Sequence, residues 1–105
     1  MTSLPFAILL AVFAQAQPPQ DQSLRVATFN IWELTEQKLG QIDEHGTGVN
    51  RQLTGAAEVI QRIRPDILLI NEIDVGNGDA SYARRFCQAY LGKSQNGQTP
   101  IRYPH

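Results

Sequence analysis

The sequence predicts an α/β fold, because two short apolar strand segments flank an amphipathic helix. The strand segments cover residues 24–31 and 66–72, and the helix runs from about residue 50 to residue 64. Two strands joined through a helix form a parallel pair with a right-handed crossover. We therefore expect a βαβ unit, followed by a second helix.

The first strand is predicted from an alternation in which both faces carry mostly apolar or β-branched side chains. This composition predicts a strand that is covered on both sides. Residues 34–49 are polar and contain three glycines, Gly40, Gly46 and Gly48. They predict a long loop with one helical turn, and loops of this length tend to be functional or mobile.

The first long helix is predicted to start after Asn50, a suitable N-cap, and to end before Pro65. The ring of Pro65 disfavours the helical conformation at Arg64. Its apolar stripe at helical spacing consists of Leu53, Ala56, Ala57, Ile60 and Ile63. The apolar run of residues 66–72 then indicates a buried central strand.

A second helix is predicted over residues 79–91, with Asp79 as its cap and Gly92 as its end. Its predicted inner face consists of Ala80, Ala83, Phe86, Cys87, Tyr90 and Leu91. Residues 93–105 indicate a loop.

The amino terminus has the pattern of a signal peptide. Residues 4–14 form an apolar run that is too short to span a bilayer, and Ala14 and Ala16 are the small residues that a signal peptidase recognises. A buried helix is the alternative, but Pro5 and the polar change at Gln17 disfavour it. We expect cleavage after Ala16, which leaves no transmembrane segment, and a secreted or periplasmic protein. The predicted divisions are a signal peptide (1–16), a polar lead-in (17–23) and a domain (24–105).

Charge and cysteine content exclude several kinds of site. The formal net charge is -1, so there is no basic field of the kind that attracts nucleic acid. The single cysteine, Cys87, excludes an internal disulfide and a cysteine-based zinc cluster. We expect Cys87 to be a small buried residue on a helix face; pairing with a thiol outside this sequence is the alternative.

Polar residues stand where the two predicted strands end. Asn30 closes the first strand, and Asn71 and Glu72 close the second. Since parallel strands end at the same edge of a sheet, these side chains should lie close together, where α/β sheets bind ligands. An amide and a carboxylate there could begin a site for a hard cation such as Mg²⁺; a solvated loop entrance is the alternative.

The same residues carry a resemblance to a known family. Residues 25–31 (RVATFNI), the helix after them, and residues 64–73 (RPDILLINEI) resemble the opening of the endonuclease/exonuclease/phosphatase family, to which the deoxyribonuclease-I-like proteins belong. The resemblance covers roughly residues 24–73. It implies a four-layer α/β sandwich, of which this chain would be the N-terminal part.

The resemblance also implies a function and a site. Members hydrolyse phosphoesters with a divalent cation, usually Mg²⁺, with Mn²⁺ or Ca²⁺ as alternatives. Glu72 matches the metal-binding glutamate, and Asn30 matches the asparagine that orders the metal and phosphate. Asn71 departs from the glutamine usual before that glutamate. The implied substrate is a phosphoester, nucleic acid among the candidates.

The remaining acidic and histidine residues do not match the family's motifs. His45 is expected to be solvated in its glycine-containing loop, and His105 is the last residue. The acidic residues expected to be loop or capping carboxylates are Asp43, Glu44, Asp74 and Asp79. The family's catalytic histidines lie further downstream, so we expect a truncated and inactive fragment.

The sequence leaves one alternative function open and disfavours another. A small secreted α/β interaction module would use the βαβ unit only as a scaffold, with its apolar faces covered by a partner or by self-association. A flavodoxin-like nucleotide-binding domain is disfavoured because no glycine-rich phosphate loop follows the first strand.

Overall fold

The computed structural model describes residues 22–74 and 78–104. The predicted signal peptide and most of the lead-in lie outside these residues. The element order is β1 (Val26–Leu34), α1 (Glu36–Leu39), α2 (Arg51–Ile63), β2 (Ile67–Ile73), α3 (Ser81–Phe86) and a π-helical segment (Cys87–Leu91) that continues α3.

The two strands form a parallel sheet, which confirms the α/β class and the predicted βαβ order. The register pairs Val26 with Ile67 and continues to Asn30 with Asn71. β1 extends to Leu34, three residues beyond its predicted end, because an irregular stretch after Asn30 returns to the sheet before the strand stops.

One face of the sheet supports the hydrophobic core. Ile31 and Leu34 of β1 are buried, and Leu68 and Ile70 of β2 pack against the same cluster from partly buried positions. The helices and the C-terminal loop supply the remaining buried members, which are Leu39, Leu53, Ala57, Ile60, Phe86, Ala89, Tyr90, Leu91 and Ile101.

The opposite face of the sheet is exposed in the described part of the chain, so the cover expected on both faces of the first strand is not found within these residues. Val26 is 59% exposed, Ile67 52% and Leu69 58%. Their side chains share a face because residues two apart along a strand point the same way. Apolar composition did not distinguish a face that is covered here from one that is not.

The caps of α2 agree with the prediction. The side chain of Asn50 accepts a hydrogen bond from the backbone N–H of Leu53 at 3.1 Å, which satisfies one of the free donors at the helix start. Arg64 leaves the right-handed helical region before Pro65, as expected from the steric effect of the proline ring, but its conformation is left-handed (φ 53°, ψ 59°) and not the extended one that a following proline usually favours. Of the predicted stripe, Ile63 is 43% exposed.

The loop between β1 and α2 contains the one helical turn that was predicted, α1. The hydroxyl of Thr35 caps it by accepting a hydrogen bond from the N–H of Lys38 at 3.3 Å. Farther on, Asp43 accepts from the N–H groups of His45 and Thr47 at 2.8 and 2.9 Å.

The second predicted helix differs in two details. It begins at Ser81 with Ala80 at the cap position, and Asp79 accepts a hydrogen bond from the N–H of Ser81 at 2.9 Å without being the cap itself. Its last turn is π-helical, and the N–H of Gly92 bonds to the carbonyl of Cys87 at 2.7 Å.

The buried face of this helix also differs from the prediction, at its start because the helix begins only after Ala80, and at its end because the helical period changes. Ala80, predicted to face inward, is exposed, whereas Ala89, which the prediction left out, is buried. A helical period of 3.6 residues does not describe a segment that ends in a π turn.

Residues 93–104 form the predicted loop, which is attached to the domain at several points. Ile101 is 8% exposed. The hydroxyl of Tyr103 donates to the carbonyl of Pro65 at 2.8 Å. The buried amide of Gln61 donates to the carbonyls of Leu91 and Lys93 at 3.0 and 2.7 Å.

Candidate functional site

Asn30 and Glu72 are in direct contact at the carboxyl ends of the two strands, as the strand order predicted. The Nδ2 atom of Asn30 donates a hydrogen bond to Oε1 of Glu72 at 3.1 Å, and both residues are exposed. Asn71 is the register partner of Asn30 and is also exposed. The sheet edge thus carries an amide and a carboxylate within reach of solvent.

The contact depends on an unusual backbone conformation at Glu72. Regular alternation along β2 would place Glu72 on the same side as Leu68 and Ile70, which face the core. Instead Glu72 has a φ of 63°, which lies in the left-handed region that residues other than glycine rarely adopt. The alternation is broken there, and the carboxylate lies on the exposed side with Asn30.

The side-chain amide of Asn30 is oriented by hydrogen bonds at both of its ends. Its Oδ1 atom accepts from the backbone N–H of Trp32 at 2.9 Å, while Nδ2 donates to Glu72. A backbone N–H can only donate, so Oδ1 must face Trp32 and the NH₂ group must face the carboxylate.

A bulge follows Asn30 in β1. Between the register pairs Asn30–Asn71 and Leu34–Ile73, β1 contains three residues and β2 contains only Glu72. Trp32 and Glu33 have φ values of 52° and 60°. Left-handed backbone costs roughly 1–2 kcal/mol at a residue with a side chain, so other interactions must hold this bulge in place.

Two side chains supply those interactions. Gln52, in the first turn of α2, donates through Nε2 to the carbonyls of Ile31 and Trp32 at 2.8 and 2.9 Å. The ammonium group of Lys38 donates to the carbonyls of Trp32 and Glu33 at 2.9 and 2.8 Å. Neither residue is evident from the sequence, because a polar residue on a helix surface is ordinary and no glycine marks the bulge.

The oxygen atoms at this edge fit a hard cation in part. Magnesium takes one or two protein carboxylates and completes its shell with water and phosphate oxygens. Glu72 offers a carboxylate in which Oε1 is bonded to Asn30 and Oε2 has no hydrogen bond from the described residues. Within residues 22–74 and 78–104, no group of three acidic, histidine or cysteine residues could hold a metal ion.

The other acidic and histidine residues lie in loops or at a helix end. The hydrogen bonds from the backbone of Thr47 and His45 hold the pKa of Asp43 below its usual range. His45 is exposed, with its Nε2 atom 3.4 Å from Glu44. The hydrogen bonds from Ser81 hold the pKa of Asp79 below its usual range. Asp74 is exposed directly after β2.

Cys87 is half-buried at the start of the π-helical segment, close to its predicted setting. Burial raises the pKa of its thiol, so the reactive thiolate is disfavoured. Cys87 and Tyr103 line two neighbouring cavities of about 330 and 370 Å³, and neither cavity is lined by Asn30 or Glu72.

In the part of the chain that the structure describes, no helix has the length and apolar character needed to cross a membrane. Comparison of the chain with protein-family models, curated proteins and solved structures found no match.

Proposed function

We propose that this chain forms the N-terminal part of a divalent-metal-dependent phosphoester hydrolase, of the secreted nuclease or phosphodiesterase type. The observation that carries the proposal is the 3.1 Å hydrogen bond between Asn30 and Glu72. The two residues that match the family's motifs are far apart in sequence, and they meet at the edge where ligands of α/β sheets bind.

In this proposal Glu72 holds the cation through its carboxylate, and Asn30 orients that carboxylate and the bound phosphate. The cation, when bound, would polarise the phosphoester and stabilise its developing negative charge. Mg²⁺ is the proposed metal, with Mn²⁺ or Ca²⁺ as alternatives. One carboxylate and one amide do not complete a catalytic site, so we propose that further ligands and the general base come from a part of the domain outside this chain.

The exposed face of the sheet supports the larger architecture implied by the resemblance. Val26, Ile67 and Leu69 form an apolar surface on the same side as Asn30. In a four-layer sandwich a second sheet would pack on this face, at the roughly 10 Å spacing of stacked sheets. That arrangement would bury the apolar residues and bring further polar residues to the same edge.

The proposed substrate is a phosphoester, and no feature of the chain identifies a particular kind of phosphoester. The net charge of -1 gives no added support for nucleic acid. The proposed signal peptide favours an extracellular or periplasmic substrate over an intracellular signalling lipid. Sequencing the amino terminus of the mature protein tests export: a start at Gln17 supports it, and retained Met1 contradicts it.

A magnesium titration of the ¹⁵N-labelled chain, followed by NMR, tests the proposed site. We expect the side-chain amide signal of Asn30 and the backbone signal of Glu72 to shift with added Mg²⁺, and Mn²⁺ to broaden both signals. Glu72→Gln should abolish the response. The matched control is Asp74→Asn, which removes the same charge two residues away and should keep it. Equal responses in the two variants would refute the site.

The proposal also predicts no hydrolysis by this chain alone. The purified chain should leave bis(p-nitrophenyl) phosphate intact in the presence of Mg²⁺ or Mn²⁺. Metal-dependent cleavage that Glu72→Gln abolishes would contradict the fragment proposal and show that the chain contains a complete site.

A second candidate function is a small secreted interaction module, which the exposed apolar sheet face favours. Such a module needs that face covered by a partner or by a second copy. Sedimentation velocity separates the two functions: concentration-dependent association that Leu69→Lys abolishes, with no magnesium response at Glu72, would favour the module.

A further inference from the structure

A continuous chain of hydrogen bonds connects Gln52 to the candidate cation ligand. Gln52 Nε2 donates to the carbonyl of Ile31 at 2.8 Å. That carbonyl belongs to the same peptide unit as the N–H of Trp32, which donates to Asn30 Oδ1 at 2.9 Å. Asn30 Nδ2 then donates to Glu72 Oε1 at 3.1 Å.

The shared peptide unit couples the hydrogen bond from Gln52 to the hydrogen bond that Asn30 accepts. A peptide bond is planar and trans, so its carbonyl and its N–H point in opposite directions and rotate together. When Gln52 holds the Ile31 carbonyl toward α2, the N–H of Trp32 is directed away from α2 toward Asn30. The direction of this one peptide therefore sets which end of the Asn30 amide faces the carboxylate.

We propose that Gln52 is a positioning residue for the Asn30–Glu72 pair, acting through the peptide between Ile31 and Trp32. The proposal rests on the proposed function only for its use of the cation. Gln52 is on a helix, a rigid element, whereas the bulge that it holds has two consecutive left-handed residues, Trp32 and Glu33. Hydrogen-bond partners of metal ligands commonly have this orienting role.

Lys38 also stabilises the bulge, but it binds different carbonyl groups from the one that connects Gln52 to Asn30. Its ammonium bonds to the carbonyls of Trp32 and Glu33, and neither belongs to the peptide that contacts Asn30. Lys38 therefore stabilises the bulge as a whole, while Gln52 holds the peptide that orients the amide. Lys38→Met should therefore increase the backbone mobility of Glu33 more than it changes the orientation of the Asn30 amide.

Gln61 provides a matched control on the same helix. Like Gln52, it donates through Nε2 to two backbone carbonyls, those of Leu91 and Lys93, at 3.0 and 2.7 Å. Those carbonyls are in the C-terminal part of the chain. Gln61→Leu therefore removes the same chemical group and two hydrogen bonds of the same kind, together with the bond that Gln61 Oε1 accepts from the N–H of Gln95, without touching the peptide after Ile31.

The first measurement needs no metal. In Gln52→Leu, hydrogen exchange at the Trp32 amide should be about tenfold faster relative to the amides of β2, since one hydrogen bond of about 1.4 kcal/mol corresponds to that factor. The two proton signals of the Asn30 side-chain amide should also move toward the shifts of a solvated asparagine side chain, because the amide loses its fixed hydrogen bonds. Gln61→Leu should change neither the exchange rate nor the shifts. If Gln52→Leu fails to fold, Gln52→Asn replaces it, and its shorter side chain should produce the same two changes.

The second measurement adds Mg²⁺ to the same variants. Gln52→Leu should weaken the response at Glu72 about tenfold, in line with the loss of a hydrogen-bond partner of a ligand, and Gln61→Leu should leave it unchanged. Unchanged Trp32 exchange and Asn30 shifts in Gln52→Leu would overturn the positioning role. A wild-type chain with no magnesium response would instead refute the proposed function, and the first measurement would still decide the role of Gln52.

Discussion

The phenol ring of Tyr90 occupies the position where a side chain on residue 48 would begin. A Cβ atom added to Gly48 would lie 2.0 Å from Cζ of Tyr90, far inside van der Waals contact. The hydroxyl of the same ring accepts a hydrogen bond from the N–H of Asn50 at 3.1 Å and donates to the carbonyl of Gln41 at 3.4 Å. The loop before α2 is thus fixed to the π-helical segment by one aromatic side chain.

We expect Gly48→Ala to lower the free energy of unfolding by about 2–3 kcal/mol, because the added methyl group would displace the Tyr90 ring from both hydrogen bonds. Urea-induced unfolding measures this change. The control is Gly55→Ala, within α2, where no atom outside the adjoining backbone of the helix lies within 4 Å of the added Cβ. That change should raise the free energy of unfolding by about 1 kcal/mol, since alanine favours a helix over glycine. Equal effects at the two positions would contradict the expected clash between a side chain at residue 48 and the Tyr90 ring.

Gln61→Leu should lower the free energy of unfolding by about 3 kcal/mol. The substitution leaves the buried carbonyl of Leu91, the carbonyl of Lys93 and the N–H of Gln95 without their partner, and each unsatisfied buried group costs roughly 1–3 kcal/mol. Urea-induced unfolding again gives the value. The exposed Gln88 is the control, and Gln88→Leu should change stability by less than about 0.5 kcal/mol.

Glu72→Gly should make the chain more stable while removing its cation response. Glycine has no Cβ and adopts the φ of 63° found here without the steric penalty, so we expect a gain of about 1 kcal/mol. Glu72→Gln keeps the backbone penalty and should show no gain, while it also loses the magnesium response. Thermal unfolding and the NMR titration check the two effects. A loss of stability in Glu72→Gly would show that the conformation is not strained.

Acid should weaken the attachment of α1 to α3 through Glu36. Arg85 Nη1 lies 2.6 Å from Glu36 Oε2, and this hydrogen bond, followed by one from Tyr82, holds the pKa of the carboxyl below its usual range. A lowered pKa in the folded state gives stability that is fully present above the ordinary pKa of the carboxyl and is lost as the pH falls through the pKa of the folded state.

Denaturant unfolding between pH 6 and pH 3 tests this dependence. Glu36→Gln should make the decline of stability with acid shallower, because the glutamine does not titrate. Arg85→Met should do the same, because removal of the guanidinium removes the main cause of the lowered pKa. If both variants decline as steeply as the wild type, other carboxylates control the acid response.

The elements that follow from local rules could be predicted from the sequence. The cap at Asn50 and the end of α2 before Pro65 depend on neighbouring residues only. The parallel order of the strands follows from the crossover rule, and it places Asn30 and Glu72 at the same edge of the sheet. The direct contact of the two side chains also needs the left-handed backbone of Glu72, which the sequence does not indicate. The resemblance implies the same pair, and its role in binding a metal stays a prediction.

The features that sequence analysis did not predict depend on long-range contacts. The bulge at Trp32 and Glu33 is held by Gln52 and Lys38, and the sequence has no glycine at its two left-handed positions. The π turn after Phe86 changes the helical period without a local breaker. The exposed side of the sheet has the same apolar composition as the covered side, so alternation alone could not tell them apart.

The order of events during synthesis follows from the parallel register of the sheet. Val26 pairs with Ile67 and Asn30 with Asn71, so each pair joins residues that the ribosome adds far apart in time. A nascent chain can form the first turn of α2 early, but β1 has no partner strand until β2 has left the exit tunnel. Contacts of this kind are slow to form because a long loop must close first. Asn30 therefore lacks this partner until Glu72 has left the tunnel, and the candidate site cannot form before β2 pairs with β1.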